Sequence, residues 1–273
     1  FEFLDWKSMG FQWVWLYGVW KLGNYCLNFD LTDHDLKLRY DSYLPDWQKG
    51  DVIGYPLSIV SYDVNPEIGD IDDLIWFREK LRSLNIRLML DFVPNHTAID
   101  APEVQNHPEY YMHSKSSSSE KVSIDENRFI KEKGNIAYGA GVNMPPMKFT
   151  AQLNIFTPEA KKMQIDNLLK ISKYCDGVRV HLAHFLLTQQ FHTYWMRELN
   201  EIGIKPPDHE FWMEAIEQVR LNNHEFVMMA ESYGAENQQR LLECGFNFIY
   251  EKELIDHLVS HDVAGFKDLI FKN

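Results

Sequence analysis

Apolar runs of strand length alternate along this chain with stretches in which apolar residues recur at helical spacing. The clearest pair is the helical stretch 71–85 followed by the apolar run 86–95. Three further pairs keep the same order, namely 157–174 with 176–182, 211–223 with 225–232, and 238–245 with 246–252. Buried strands that alternate with helices are typical of a parallel sheet covered by helices. The pattern therefore predicts an α/β fold.

The alternation stops between Thr97 and Met147, where polar residues, glycine and proline replace the regular pattern. A long irregular stretch inside a compact domain is usually functional or disordered. We therefore expect this segment to be either functional or disordered.

Charge and hydropathy narrow the classes of partner. The formal net charge of -13 argues against binding to nucleic acid or to an anionic membrane surface, because such binding depends on clustered Lys and Arg. No apolar run reaches the roughly 20 residues that a membrane-spanning helix needs. The cysteines, Cys26, Cys175 and Cys244, are widely spaced and fit neither a disulfide framework nor a metal motif. They favour a reducing intracellular compartment, but the localisation stays open because the chain does not begin with methionine.

Polar residues close several of the apolar runs. In a barrel of parallel strands the chemistry lies at the carboxyl ends of the strands. Asp91 lies in one such run and Glu231 closes another, while Arg179 and His181 lie two residues apart in a third. Because successive residues of a strand face opposite sides, Arg179 and His181 are expected to enter the same space.

Several of these segments together resemble glycoside hydrolase family 13, the α-amylase family. The segments occur in the family's order and are "DFVPNH" (91–96), "TAQLN" (150–154), "DGVRV" (176–180), "AESYG" (230–234) and "GFNFIYEKEL" (245–254). The resemblance implies a (β/α)8 TIM barrel with a small B domain inserted after the third strand. It covers about strands 2 to 6, so the barrel is expected to be incomplete in this chain. The implied units are residues 1–96, the B-domain-like insertion 97–147, and the continued barrel 148–273.

The resemblance also implies roles for individual residues. Glu231 matches the general acid/base, Arg179 matches the arginine that orients the nucleophile, and Asp91 matches the aspartate that supports this arginine. His96 and Tyr233 match substrate-binding positions. Asn95 matches a residue that in many members helps to bind a structural calcium ion, which is the one cofactor that the resemblance implies.

His181 departs from the family pattern, because the nucleophile at this position should be an aspartate. A retaining glycosidase needs one carboxyl group as acid and a second carboxylate as nucleophile. A neutral imidazole supplies neither negative charge nor a labile glycosyl ester. Losing such a group lowers the rate by on the order of 10⁴ to 10⁶. The family's fourth motif is also missing, since "SHD" (260–262) follows the preceding motif too closely and is expected to lie on a surface helix or loop.

Two functions compete on this basis. The first is a catalytically inactive amylase-fold protein, a pseudoenzyme, that binds α-glucan or packs as a structural subunit against other protein subunits or the rest of the barrel. The alternative is an active α-glucan hydrolase or transglycosylase of the retaining type.

A metal site is a competing interpretation of His181, because His184 and His192 are close to it in sequence. Their spacing fits no strong ligand motif. Strand alternation also predicts that His184 lies on the opposite side of the strand end from His181.

Overall fold

The computed structural model describes residues 2–115, 125–250 and 252–272. The helices in these ranges are α1 (Glu2–Ser8), α2 (Asn24–Thr32), α3 (His34–Tyr43), α4 (Ile71–Ser83), α5 (Pro102–Asn106), α6 (Pro158–Ile171), α7 (Thr188–Ile202), α8 (Phe211–Asn222), α9 (Ala235–Glu243), α10 (Lys252–Val259) and α11 (Val263–Lys272). Short 3₁₀ helices cover Lys49–Asp51, Pro108–Tyr110, Lys131–Lys133 and Ala183–Leu186. The strands are β1 (Trp13–Leu16), β2 (Trp20–Leu22), β3 (Ile59–Val64), β4 (Arg87–Phe92), β5 (His96–Ala98), β6 (Phe129–Ile130), β7 (Ile136–Ala137), β8 (Gly139–Gly141), β9 (Met144–Met147), β10 (Thr150–Gln152), β11 (Gly177–Val180), β12 (Val227–Glu231) and β13 (Phe248–Tyr250).

Five parallel strands form the central sheet in the order β1-β4-β11-β12-β13. Their order across the sheet is their order along the chain, and each connection between neighbours contains at least one helix. This continuous winding is that of a (β/α)8 barrel, whereas a doubly wound sheet reverses its strand order at a switch point. The predicted α/β class and the incomplete barrel are therefore confirmed, and the four helix–strand pairs of the sequence lie at α4–β4, α6–β11, α8–β12 and α9–β13.

The helices begin where their sequences favour it. Asp70 caps α4, because its side chain accepts from the backbone N–H groups of Asp72 and Asp73, and the Asp73 side chain accepts from the N–H of Asp70 in return. Thr157 occupies the N-cap position of α6 with Pro158 next to it. The Thr157 hydroxyl nevertheless donates to the carbonyl of Asn154, so α6 has no side-chain cap at this end.

Alternation along the strands separates the core from the functional groups. Leu88, Leu90 and Phe92 of β4 and Val178 and Val180 of β11 belong to the main hydrophobic core, which also contains apolar residues of the covering helices. The residues between them face the other side of the sheet, and these include Asp91 and Arg179. Chemistry and core packing therefore lie on opposite faces of the sheet.

The glycine of "DGVRV" has a packing reason. A Cβ atom added to Gly177 would lie 2.6 Å from the carbonyl oxygen of Val227 on the neighbouring strand. Only glycine therefore lets β11 approach β12 this closely, and this approach brings Arg179 beside the end of β12.

The segment after β4 has its own small core. β5 pairs antiparallel with β10, so that His96 lies opposite Gln152. A second hydrophobic cluster covers this region and is formed by Ala98, Ile99, Ala101, Val104, Tyr111, Ile130, Ile136, Ala151 and Leu153. The division into 1–96, 97–147 and 148–273 stays a prediction, which these contacts support.

The segment Ser260–Asp262 lies in the exposed turn between α10 and α11, as the sequence predicts. In the part of the chain that the structure describes, we find no helix that is both long and apolar enough to cross a membrane.

Candidate functional site

Glu231, at the carboxyl end of β12, is the centre of a buried polar cluster. Its Oε2 atom accepts from the backbone N–H of Leu182 at 3.0 Å, from Nδ1 of His181 at 2.7 Å and from Nη2 of Arg179 at 2.8 Å. Its Oε1 atom accepts from the hydroxyl of Tyr233 at 2.7 Å. Burial alone would raise the pKa of Glu231, but these donors and the positive charge of Arg179 lower it to about 2. Glu231 is therefore an ionised carboxylate near neutral pH.

His181 follows β11 directly, and its backbone N–H donates to the carbonyl of Phe92, which continues the ladder with β4. Nδ1 of His181 lies 3.3 Å from Nη1 of Arg179 but only 2.7 Å from the Glu231 carboxylate. Because arginine can only donate and an ionised carboxylate can only accept, the shorter contact places the proton on Nδ1. Burial lowers the pKa of His181, so the ring is neutral near pH 7. Arg179 and His181 do enter the same space, as predicted.

Arg179 lies between two aromatic rings as well as two acids. Its guanidinium carbon is 5.3 Å from the ring centre of Trp15 on β1 and 5.9 Å from that of Tyr250 on β13. These are the first and last strands of the sheet, so both edges contribute a ring to the same cation. The guanidinium is 2.8 Å from Glu231 but 4.0 Å from Asp91. Glu231 is thus its main ionic partner.

Asp91 is almost fully buried and is held by donors of β1 and of the segment that follows it. The indole N–H of Trp15 and the backbone N–H of Gly18 donate to its two oxygens at 3.2 and 3.1 Å. Burial raises the pKa of Asp91 to about 6, although these donors and Arg179 oppose the shift. Its carboxyl group faces the arginine, in keeping with a supporting role.

His96 and Asn95 are neighbours in the chain and lie next to this polar cluster. The His96 ring is 5.8 Å from the His181 ring, edge to face, and burial together with His181 lowers its pKa to about 3. The Asn95 amide pairs with the Gln152 amide, whose Nε2 donates to Oδ1 of Asn95 at 3.0 Å. The Asn95 oxygen is therefore already bonded to a donor. In addition, no group of three His, Cys, Asp or Glu side chains in the described ranges could hold a metal ion. This donor set does not fit the calcium ion, which prefers several free oxygens.

One sequence-based expectation about His184 is wrong. His184 was expected on the opposite side of the strand end from His181, but both side chains line the same cavity of about 730 Å³. Leu182 causes the difference, because its backbone adopts the left-handed conformation with φ of +48° and starts a 3₁₀ turn. Strand alternation therefore ends at His181.

The cavity is lined mainly by uncharged side chains. Besides the two imidazoles and Glu231, its walls include Tyr55, Tyr233, Gln190, Asn237, Asn143, Met144 and Phe185. Arg179 and Asp91 lie behind Glu231 and do not line it. Six of the predicted site residues thus lie close together, namely Glu231, His181, Arg179, Asp91, His96 and Tyr233. The side chain of Asn95 instead bonds to Gln152, where β5 pairs with β10.

Sequence reasoning missed several residues of this site. Tyr250 was visible only as an aromatic residue of the segment 245–254, and Trp15 was not singled out, although it does alternate with Trp13 along a strand. His184 was assigned to the wrong side. Gln152 belongs to the segment 150–154, but its pairing with Asn95 gives no signal in the sequence, because it depends on the register of two strands far apart in the chain.

Comparison with known proteins matches this architecture. The family model described as the α-amylase catalytic domain matches residues 7–244. No curated protein sequence matches at a significant level.

Solved structures with similar folds include an α-amylase from Lactobacillus plantarum, which has 20% sequence identity and a TM-score of 0.64 over 99% of this chain and 53% of that one. A noncanonic maltogenic α-amylase from Thermotoga neapolitana has 17% identity and a TM-score of 0.61 over 98% and 49%. A cyclomaltodextrinase has 17% identity and a TM-score of 0.59 over 94% and 35%.

The chain spans about half the length of the first two of these structures, and at such low identity the likeness shows the fold alone. The family match, in contrast, extends over most of the chain and includes every strand of the central sheet except β13. This protein therefore belongs to the α-amylase family.

Proposed function

We propose that this chain binds an α-glucan in the cavity beside Glu231 and does not hydrolyse it. The observation that carries this proposal is the ion pair and hydrogen bonds that hold Glu231 ionised, at a position where a glycosidase needs a protonated acid. His181 stands in the nucleophile position, and its Nδ1–H is bonded to Glu231.

The two changes reinforce each other. In a retaining glycosidase the negative charge of the nucleophile helps to keep the acid protonated, since like charges raise each other's pKa. In this chain a hydrogen-bond donor takes the place of that charge. A working general acid at this position would need a pKa of about 6 to 7, whereas the hydrogen bonds and the ion pair hold the pKa of Glu231 well below its ordinary value. Among the described residues that line the cavity, we therefore find neither a free carboxylate nucleophile nor a protonated carboxylic acid.

Asp91 does not replace the missing nucleophile. It is 1% exposed, both of its oxygens accept hydrogen bonds from the segment Trp15–Gly18, and it does not line the cavity. A nucleophile must reach the anomeric carbon of a bound sugar. Its carboxyl group instead faces Arg179 and lies outside the cavity.

The cavity retains features that suit a neutral sugar. Tyr55 and Tyr233 offer aromatic surface, and Gln190 and Asn237 offer amide groups that both donate and accept hydrogen bonds. The formal net charge of -13 also disfavours anionic ligands.

Affinity electrophoresis in gels that contain starch or glycogen tests the binding. We expect the protein to be retarded, and we expect Tyr55→Ala to lose this retardation because Tyr55 lines the cavity and packs on Phe149. Tyr43→Ala is the matched control, since Tyr43 is 85% exposed and lies outside this cavity. Equal mobility of the native protein with and without glucan would contradict the proposal.

A second candidate is a structural subunit, and the open edges of the sheet favour it. β1 and β13 each pair with one neighbour within the described ranges, and Trp15 and Phe248 on these strands are 37% and 55% exposed. Unpaired edges with apolar side chains are typical of surfaces that other protein covers. Light scattering tests it, since association of the native protein that Phe248→Glu abolishes would support this role and a monomer in both cases would contradict it.

A further inference from the structure

Another cavity, of about 260 Å³, lies between α2, α3 and the segment that follows α3. Its walls are formed by Asp30, Tyr40, Tyr43, Leu44, Trp47 and 51–54. None of these residues lines the cavity beside Glu231. Sites for drug-sized ligands usually measure about 300 to 1,000 Å³, so this smaller cavity suits a compact group.

Three of the wall residues are aromatic, namely Tyr40, Tyr43 and Trp47. The rings of Tyr40 and Trp47 meet at 67°, with their centres 5.3 Å apart. The indole N–H of Trp47 donates to Oδ1 of Asp41 at 2.8 Å, which holds the ring in place. Two rings at this angle form a corner rather than the flat platform on which a sugar ring stacks. Because the face of an aromatic ring carries partial negative charge, such walls favour a cation.

Two carboxyl groups lie in the same walls, and within the described ranges neither forms an ion pair. Asp51 accepts a hydrogen bond from the backbone N–H of Gln48 at 2.7 Å. Asp30 is half-buried, and its partner is the thiol of Cys26, at a sulfur–oxygen distance of 3.9 Å. Burial and the charge of Asp33 raise the pKa of Asp30. A partly desolvated carboxylate without a cation is unfavourable, so a positive charge in this cavity would stabilise it.

We propose that this cavity binds a quaternary ammonium group, which the aromatic rings enclose while Asp30 and Asp51 supply the opposite charge. Aromatic walls attract such a cation, and its methyl groups give it an apolar surface that packs on the rings. A primary ammonium group is more strongly hydrated and would need several acceptors to replace its water. The formal net charge of -13 also attracts cations to the protein. This site goes beyond the proposed glucan binding, and neither depends on the other.

Calorimetric titration of the native protein tests the class of ligand. Choline is the cationic probe, and dimethylbutanol is its uncharged isostere, in which carbon replaces the nitrogen. We expect choline to bind about tenfold more tightly than dimethylbutanol, because only the cation is attracted by the rings and the carboxylates. Equal binding of the two, or no binding of choline, would overturn the proposal. Displacement of choline by maltose would also overturn it, because the rings would then be a surface for neutral sugar.

Variants of the wall residues locate the bound cation. Trp47→Leu should weaken choline binding about tenfold and Asp30→Asn about threefold. Trp76→Leu is the matched control, because Trp76 is 62% exposed on α4 and lies outside this cavity. Tyr43→Ala changes an exposed side chain, so it should weaken choline binding without loss of folding and leave the mobility in starch gels unchanged. If the native protein binds choline and none of the three wall variants weakens it, the cation binds elsewhere and the proposal is overturned.

Discussion

Replacement of Arg179 by methionine is expected to lower the free energy of unfolding by about 3–5 kcal/mol, because it leaves the buried carboxylate of Glu231 without its cation. Glu231 is 7% exposed, so water cannot replace the guanidinium without a rearrangement of the cluster. The rings of Trp15 and Tyr250 also lose the cation between them. Urea unfolding monitored by tryptophan fluorescence measures the change.

Arg197→Met is the matched control for this experiment. Arg197 pairs with Glu201 on the surface of α7, and its side chain is 66% exposed. Exposed pairs of this kind contribute little, so we expect a change within about 0.5 kcal/mol. If Arg179→Met were as stable as the control, Glu231 would not depend on Arg179, and our explanation of its low pKa would be wrong.

Acidification from pH 6.5 to 4.5 is expected to lower the free energy of unfolding by about 3 kcal/mol. The pKa values of His96 and His184 are about 3 and about 4 in the folded protein, well below the ordinary value of 6.5. Between pH 6.5 and 4.5 these histidines therefore bind protons more readily in the unfolded chain than in the folded protein. The free energy of unfolding thus decreases as the pH is lowered. Asp91 acts in the opposite direction, because its raised pKa of about 6 lets the folded protein bind a proton first. The two histidines outweigh this single carboxyl.

Urea unfolding at constant ionic strength across this range measures the dependence on pH. His184→Phe removes one of the titrating groups, so its loss over the same range should be smaller by about 2 kcal/mol. A native protein whose stability is unchanged or rises between pH 6.5 and 4.5 would contradict the assignment of neutral, buried imidazoles.

The repeating units of this fold could be predicted from the sequence because they depend on local patterns. Helical spacing in 71–85 and the apolar run 86–95 are properties of neighbouring residues, and α4 and β4 form where these patterns lie. Alternation also predicted that Arg179 and His181 share a space, since the ladder with β4 continues through the N–H of His181. The same rule failed for His184, because the backbone of Leu182 turns into the left-handed region and a non-glycine residue gives no local signal for this.

The state of the site depended on contacts that no local pattern contains. Glu231 receives donors from residues about 50 positions earlier in the chain, and these donors decide that it is ionised. Asn95 was expected to face a calcium ion, but the register of β5 with β10 places Gln152 beside it. The sequence therefore predicted which residues lie close together in the site. Their ionisation states and hydrogen-bond partners depend on distances that only the folded structure gives.

We propose that the cluster around Glu231 does not hydrolyse glycosidic bonds, and the release of reducing sugar from starch and maltooligosaccharides tests this proposal most directly. The native protein should be assayed beside Glu231→Gln, which removes the carboxyl group at the general-acid position, and beside His181→Asp, which restores a carboxylate at the nucleophile position. We predict that the native protein releases no more sugar than Glu231→Gln, and that any gain is confined to His181→Asp. Turnover by the native protein that Glu231→Gln abolishes would contradict the account, because Glu231 would then have to be a working acid despite its bonds to Arg179 and His181.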